Sequence, residues 1–508
     1  MRNLHMAWRL GTVGWALALC SVAALGWSCS DALRLEPPSG PGAGAAGAGN
    51  YGGGVVGGGG GAPHTCRSNS DCAAPSAVCD TVKRICVECL LLADCGAKPG
   101  TVCSQGACEC PTAGESWCAP ATCADLQISS DDCGSCGHKC FGACAAGKCV
   151  DEWEPTGADN APDARSLHSA VWTGTAMIVW GGATADCGTC DLNTGAIYDP
   201  TARSWTKTST VNAPSARQLH SAVWTGTEML VWGGQHNGEA LGTGGRFNPT
   251  TNTWKPISTA NAPPARFWHT AVWTGDHMIV WGGSSGPDQL TSGATYDPAT
   301  DGWVAIAAPQ VSREAHSAVW NSGSMLIYGG LGDDTVDTDV YMPTAQAAGG
   351  MQYSPSPSES WNSLQVTAQP ASRAWHTAVL MGSPLAMVVW GGYNGASFLG
   401  NGGSYTIQTQ AWTATNPPEP EGRRYHTAVT FGDPATKMVV WGGEGQNGEL
   451  DSGGVYTAAD NSWQPTPTAL SARHFHTAIS TGTAMIVWGG QSGSTRLGDG
   501  GVYTPAAP

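Results

Sequence analysis

At 508 residues the chain is long enough for two or three domains and a sizeable core. Gly and Pro supply 103 of its residues and only 12% are charged, well under the usual value of about 25%, which suits an all-β, turn-rich protein. A net charge of −16 with no basic stripe argues against a nucleic-acid partner and fits a soluble surface in an aqueous compartment.

The first predicted element is an export signal over residues 1–28. Arg2 and Arg9 precede an uncharged stretch from Leu10 to Ser30, the order of a secretory signal. The segment ending at Cys29 resembles a bacterial lipobox and implies lipid attachment at that cysteine. It departs from the pattern, because Leu25 stands four residues before Cys29 and Trp27 is bulky. Cleavage without acylation, after Ala23 or Ser28, and a retained anchor of about 20 residues stay open. Residues 29–63 are rich in Gly, Ala and Pro; such a stretch buries little apolar surface and is expected to act as a tether.

Residues 64–150 form the next predicted unit. Sixteen of the 20 cysteines lie between Cys66 and Cys149. In an exported chain this density predicts a disulfide-stapled module. The spacing Cys66, Cys72, Cys79, Cys86 is echoed by Cys89, Cys95, Cys103, Cys108. Further on come Cys133, Cys136, Cys140, Cys144 and Cys149, and this stretch resembles the stigma-specific-protein-like cysteine-rich domain. A zinc site on Cys133, Cys136 and Cys140, with His138, is the competing reading; an oxidising compartment favours disulfides. The pairing is not deducible from spacing.

From residue 151 to 508 one phrase recurs seven times: Arg-x-x-His-(Ser/Thr)-Ala, a turn, an apolar run, then Gly-Gly. The histidines are His168, His220, His269, His316, His376, His426 and His476, spaced 52, 49, 47, 60, 50 and 50 residues apart. A period near 50 marks a repeat architecture. Within one unit, Ser221–Trp224 and Glu228–Trp232 read as strands, Asn237-Gly238 as a hairpin turn, Gly244–Phe247 as a third strand and Thr253–Lys255 as the start of a fourth. Four short antiparallel strands make one propeller blade. The third-strand aromatic recurs from Tyr198 to Tyr503 and the fourth-strand Trp from Trp205 to Trp463. Together with Gly-Gly and Arg-x-x-His these residues resemble the kelch repeat, which implies a seven-bladed all-β propeller.

No Trp follows Tyr503. The missing one is Trp153, which stands 15 residues before His168, as Trp205 does before His220. The first strand after the cysteine-rich segment is therefore predicted to complete the last blade and remove its unpaired edge. A residue demanded in every blade serves every blade, so Arg and His are expected to bond buried loop carbonyls between neighbouring blades rather than form a metal ring.

Function is sought where the repeats differ. The second Gly and the third-strand aromatic are 13 residues apart in five blades, but 16 in blade one and 23 in blade four. Blade one carries Asp186 and the pair Cys187/Cys190, expected to staple its loop. Blade four carries Asp333, Asp334, Asp337 and Asp339, expected to be a solvated acidic loop; Ca²⁺ is the one cofactor these carboxylates suggest. Gln235, His236, Asn237, Tyr393, Asn394, Glu444 and Gln446 are expected on the same face as candidate ligand contacts. No catalytic residue can be located. The expectation is a monomeric, exported binding protein of the cell envelope or exterior, taking a protein or glycan and touching membrane only through its N-terminal lipid or signal anchor. A carbohydrate-active propeller enzyme (epimerase, lyase or galactose-oxidase-like) and a structural envelope lipoprotein are the alternatives. The oxidase needs a cysteine joined to a tyrosine and two histidine ligands, which the loop cysteines Cys187 and Cys190 do not suit.

Overall fold

The computed structural model describes residues 152–505, apart from 186–189, 287, 333–348, 356–357, 433 and 469, together with eight three-residue strands between residues 78 and 150. Residues 1–77 lie outside the described residues, and with them the predicted signal, Cys29 and the tether.

The eight short strands pair as four antiparallel hairpins. In their backbone registers Cys79 stands opposite Cys86, Cys103 opposite Cys108 and Cys144 opposite Cys149. Cys133, Cys136 and Cys140 lie outside the described residues.

The remainder is a ring of seven four-stranded antiparallel sheets. In blade two the strands are Ser221–Trp224, Met229–Trp232, Gly244–Asn248 and Thr253–Pro256, in that order from the axis outward. In six blades the second strand is a continuous apolar run buried throughout, such as Met177–Trp180 and Met229–Trp232; in blade six, Ala435–Trp441, only the last four residues are. A strand enclosed by neighbouring blades on both faces needs no polar alternation. At the turn into it, Thr173 Oγ1 accepts the backbone N–H of Ala176 at 2.9 Å.

Blade seven joins the two ends of the propeller. Its strands are Thr477–Ser480, Met485–Trp488, Gly500–Thr504 and, from the other end, Glu152–Pro155. Trp153 stands opposite Tyr503, as Trp205 stands opposite Tyr198. The predicted closure is therefore found: the N-terminal strand covers the edge that the Gly500–Thr504 strand would otherwise expose.

The blades are held together by tryptophan. The aromatic ending each second strand packs on the fourth-strand Trp of the next blade, with centroids 5.1 Å apart for Trp180–Trp254 and 4.5 Å for Trp232–Trp303. The series closes with Trp441–Trp153 at 5.0 Å and Trp488–Trp205 at 5.3 Å. Six of the seven fourth-strand indoles, all but Trp463, also donate backward to the preceding blade's outer loop: Trp254 Nε1 to the Ser209 carbonyl at 2.9 Å, and Trp153 Nε1 to that of Pro467 at 3.0 Å. Tilted aromatic pairs of this kind contribute about 0.5–1.5 kcal/mol each beyond their buried area.

The constant Arg and His divide the work differently from the expectation. Each Arg serves its own blade: Arg217 Nη1 donates to the carbonyls of Gly233 at 2.8 Å and Thr243 at 2.7 Å. Arg165 and Arg266 repeat this arrangement with 0% exposure. Each His makes the link between blades, and to a hydroxyl rather than a carbonyl. His220 Nε2 lies 2.8 Å from Ser169 Oγ, His269 Nε2 2.8 Å from Ser221 Oγ, and so on until His168 Nε2 meets Thr477 Oγ1 at 2.8 Å. The Ser/Thr that follows each His is thus the partner of the next His, and the seven links form a closed circle.

The Gly pairs leave room for this circle. Gly181 has φ +72°, and a Cβ there would stand 2.5 Å from His220 Cε1. Burial, and then the neighbouring Arg, hold His220 and His316 down at about 3 and the other five ring histidines well below the ordinary range. All seven are neutral in the folded ring.

Candidate binding face

The two residues between the constant Arg and His build the face from which the long loops emerge. Both flanking side chains are buried in the blade, so the chain between them must turn sharply toward the axis. The residue before each His does this in the left-handed region, with φ of +57° at Leu167, +57° at Trp268, +55° at Trp375 and +56° at Tyr425. Non-Gly residues rarely take this conformation. Backbone bonds around the axis hold it: Leu219 N–H to the Leu167 carbonyl at 3.2 Å, Trp375 to Ala315 at 3.1 Å, Tyr425 to Trp375 at 3.3 Å and Leu167 to Phe475 at 3.2 Å.

The residue after each Arg pairs with the residue after each Gly-Gly. These bridges include Ser166 with Ala183, Gln218 with Gln235, Ala374 with Tyr393, Arg424 with Glu444 and His474 with Gln491. The face is therefore three concentric rings. The innermost is Leu167, Leu219, Trp268, Ala315, Trp375, Tyr425 and Phe475.

The rings are uneven. On blades five to seven, aromatic and charged side chains gather. The rings of Trp375 and Tyr425 lie 5.5 Å apart, and those of Tyr425 and Phe475 4.2 Å. Trp268 reaches in from blade three to within 5.8 Å of Trp375 and 6.5 Å of Tyr425. The Arg424 guanidinium stands 4.8 Å from the Tyr425 ring, 5.2 Å from Tyr393, 5.3 Å from Phe398 and 5.4 Å from Trp375. Its Nε donates to Glu444 Oε2 at 3.0 Å, with about a quarter of each side chain exposed. His474 Nδ1 is 3.6 Å from Glu449 Oε1, and burial lowers the His474 pKa. Burial also pushes the Tyr425 hydroxyl up to about 12.

On the opposite side, blade one holds the blade-two hairpin. Asp191 Oδ2 accepts from His236 Nδ1 at 2.9 Å and from the Asn237 N–H at 3.3 Å. Asp191 is nearly buried. The Asn-Gly turn is as predicted, with φ +53° at Asn237 and +82° at Gly238.

Of the residues singled out from sequence, the structure brings Tyr393 and Glu444 together around Arg424, and Gln235, His236 and Asn237 together beside Gln218 and Asp191. Asn394 is occupied in its own turn, its Oδ1 accepting from the N–H groups of Ala396 and Ser397. Gln446 is exposed at a hairpin tip. Cys190 is disulfide-bonded; Cys187 and Asp186 lie outside the described residues, as do Asp333, Asp334, Asp337 and Asp339. The sequence reading missed Trp268, Trp375, Arg424, Tyr425, His474 and Phe475. They occupy the two unspecified positions of Arg-x-x-His, variable sites inside a constant phrase, and that variability was the available signal.

A closed ring of seven blades with a variable loop face defines a β-propeller whose repeated phrase is scaffold. Residues 151–303 and 356–506 match the family described as the KLHDC2/KLHL20/DRC7 Kelch-repeats domain, more than half of the chain. The chain belongs to the Kelch-repeat family, whose propellers generally mediate protein interactions. The unmatched interval, 304–355, runs from within blade three's outer strand through the first three strands of blade four, Ser317–Trp320, Met325–Tyr328 and Gly350–Ser354. No curated protein matches the chain.

Proposed function

We propose that the chain is a non-enzymatic binding protein that docks a protein partner on its loop face, centred on blades five to seven. The observation that carries this reading is Arg424, flanked by four aromatic rings and paired with Glu444. Tyr, Trp and Arg clustered near the centre of a face are the residues that anchor protein interfaces. The inner side chains are partly exposed rather than buried, so they keep contact area for a partner. A glycan is the second reading, because sugar rings stack on aromatic faces and their hydroxyls bond planar polar groups such as Arg424 and Glu444. An enzyme would need carboxylates free to exchange protons, whereas Glu444 and Asp191 are each held by a basic partner.

The sequence signals extend the proposal: an exported protein, lipid-anchored at Cys29, with the cysteine-rich segment as stalk or second recognition module. Membrane fractionation of the full chain and of Cys29→Ala checks this part. For the face, cross-linking in intact cells followed by mass spectrometry is compared between the parent, Arg424→Ala and Trp375→Ala. Loss of the same partner in both variants is expected. A partner captured equally by all three, or a glycan array in which only a saccharide binds, sinks the protein-docking reading.

A further inference from the structure

The backbone bonds that run round the axis do not close. At five of the seven junctions, the residue before each ring histidine donates its N–H to the carbonyl of its counterpart in the preceding blade. The N–H of Trp268, between blades two and three, and that of Phe475, between blades six and seven, donate to nothing among the described residues. The carbonyls of Leu219 and Tyr425, which stand where those bonds would end, accept nothing there either. Main-chain polar groups are satisfied by something, whether water or a partner. In the second ring the first gap is flanked by Gln218 and Phe267, the second by Arg424 and His474.

Arg424 is itself incompletely bonded. A guanidinium carries five N–H donors. Its Nε is taken by Glu444, but among the described residues Nη1 and Nη2 donate to nothing, and both keep contact with solvent. Four aromatic rings have their centroids within 5.4 Å of its Cζ, so water at this fork lies against apolar faces. Tyr425 joins the two deficits: its ring flanks the guanidinium, and its carbonyl is the unfilled acceptor of the gap. The open groups of this junction are a planar cationic fork, one amide N–H and one amide carbonyl, beside the partly exposed rings of Trp375, Tyr425 and Phe475.

An acidic residue within a polypeptide complements all three. Its carboxylate accepts from both Nη groups, and such charge-assisted, forked pairs are roughly twice as strong as neutral hydrogen bonds, an advantage that water lacks. Its main chain offers an N–H to Tyr425 and a carbonyl to Phe475. A chain-terminal carboxylate would spend its carbonyl on the fork and leave the Phe475 N–H unfilled. Nor does local charge repel the newcomer. Arg424 and Arg496 balance Glu444 and Glu449, all four acting on His474, which burial keeps below the ordinary range.

We infer that the partner docks through an internal Asp or Glu, whose carboxylate seats on the Arg424 fork while the adjoining main chain fills the gap between Tyr425 and Phe475. The inference rests on the loop face being the docking site and adds the chemistry of what is docked.

The probe is a random heptapeptide library displayed on phage, each peptide fused through its C-terminus, selected on the purified full chain. A consensus with a fixed Asp or Glu is expected. The consensus peptide, resynthesised with acetylated and amidated ends, should bind at least tenfold more weakly to Arg424→Lys, which keeps the charge and loses the fork. Changing the peptide's acid to its amide should cost the parent the same factor, a test that stands even if the variant fails to fold. Methylating the main-chain nitrogen at the acid or at a neighbouring residue should cost at least fivefold at one position. A consensus without an acid, or a peptide indifferent to these changes, overturns this inference and leaves the docking face standing. Failure to enrich any peptide overturns both.

Discussion

Seven neutral histidines in one closed circle make the propeller's stability a steep function of pH. In the unfolded chain each titrates near its ordinary value of about 6.5. In the ring, burial and a neighbouring Arg keep each unprotonated, at about 3 for His220 and His316 and well below the ordinary range for the rest. Protonation would place a buried charge beside a guanidinium. The folded pKa is therefore depressed, and because histidine is charged when protonated, the unfolded state binds more protons below pH 6.5. Stability is full above about pH 6.5 and falls as the solution is acidified toward the folded pKa values.

The size of the effect follows. One pH unit below the unfolded pKa, each ring histidine has cost about 1.4 kcal/mol, so seven together remove on the order of 10 kcal/mol by about pH 5.5. That is comparable with the whole stability of an ordinary domain, about 5–15 kcal/mol. Urea unfolding measured at several pH values between about 7.5 and 5.5 gives the slope of unfolding free energy against pH, which counts the protons taken up. About six are expected near pH 5.5, and one fewer in His220→Gln. The upper window matters: burial raises the pKa of Glu314 and Glu419, and their proton uptake in the folded state opposes the trend at lower pH. A slope of two protons or fewer near pH 5.5 would refute the neutral circle.

Three further outcomes test the scaffold. Ser169→Ala removes the hydroxyl from His220 Nε2 and should cost about 1–3 kcal/mol in urea unfolding, whereas Ser169→Thr, the residue other blades use, should cost little. Gly181→Ala combines φ +72° with a Cβ 2.5 Å from His220 Cε1 and should exceed about 2 kcal/mol; Gly226→Ala, at φ +100° but in open space, should stay near 1 kcal/mol. Trp153→Ala should lose about 3–5 kcal/mol and make the Gly500–Thr504 strand the first site of limited proteolysis; cleavage starting in a mid-ring blade would contradict the closure.

What could be read in one dimension was periodicity. Counting tryptophans was enough to find that Trp153 belongs with Tyr503, because a missing member of a series is visible without coordinates. The circle of histidines was not visible in this way. His220 and Ser169 stand 51 residues apart, and spacing alone cannot say whether a constant residue faces its own blade or the next. Arg and His, which recur together, prove to face different blades. The binding face was hidden for a related reason. The loops of blades one and four drew notice by their length, but the residues nearest the axis sit at fixed positions inside the phrase itself, between two buried side chains. No local propensity announces that Trp268, Trp375 and Tyr425 take left-handed backbone; the turn is imposed by Arg on one side, His on the other and the backbone bonds around the axis. A repeat that must close on itself fixes where its unspecified residues point. Seven identical turns toward one axis bring seven different side chains together, so this scaffold varies its surface most economically at the two positions that its own phrase leaves blank.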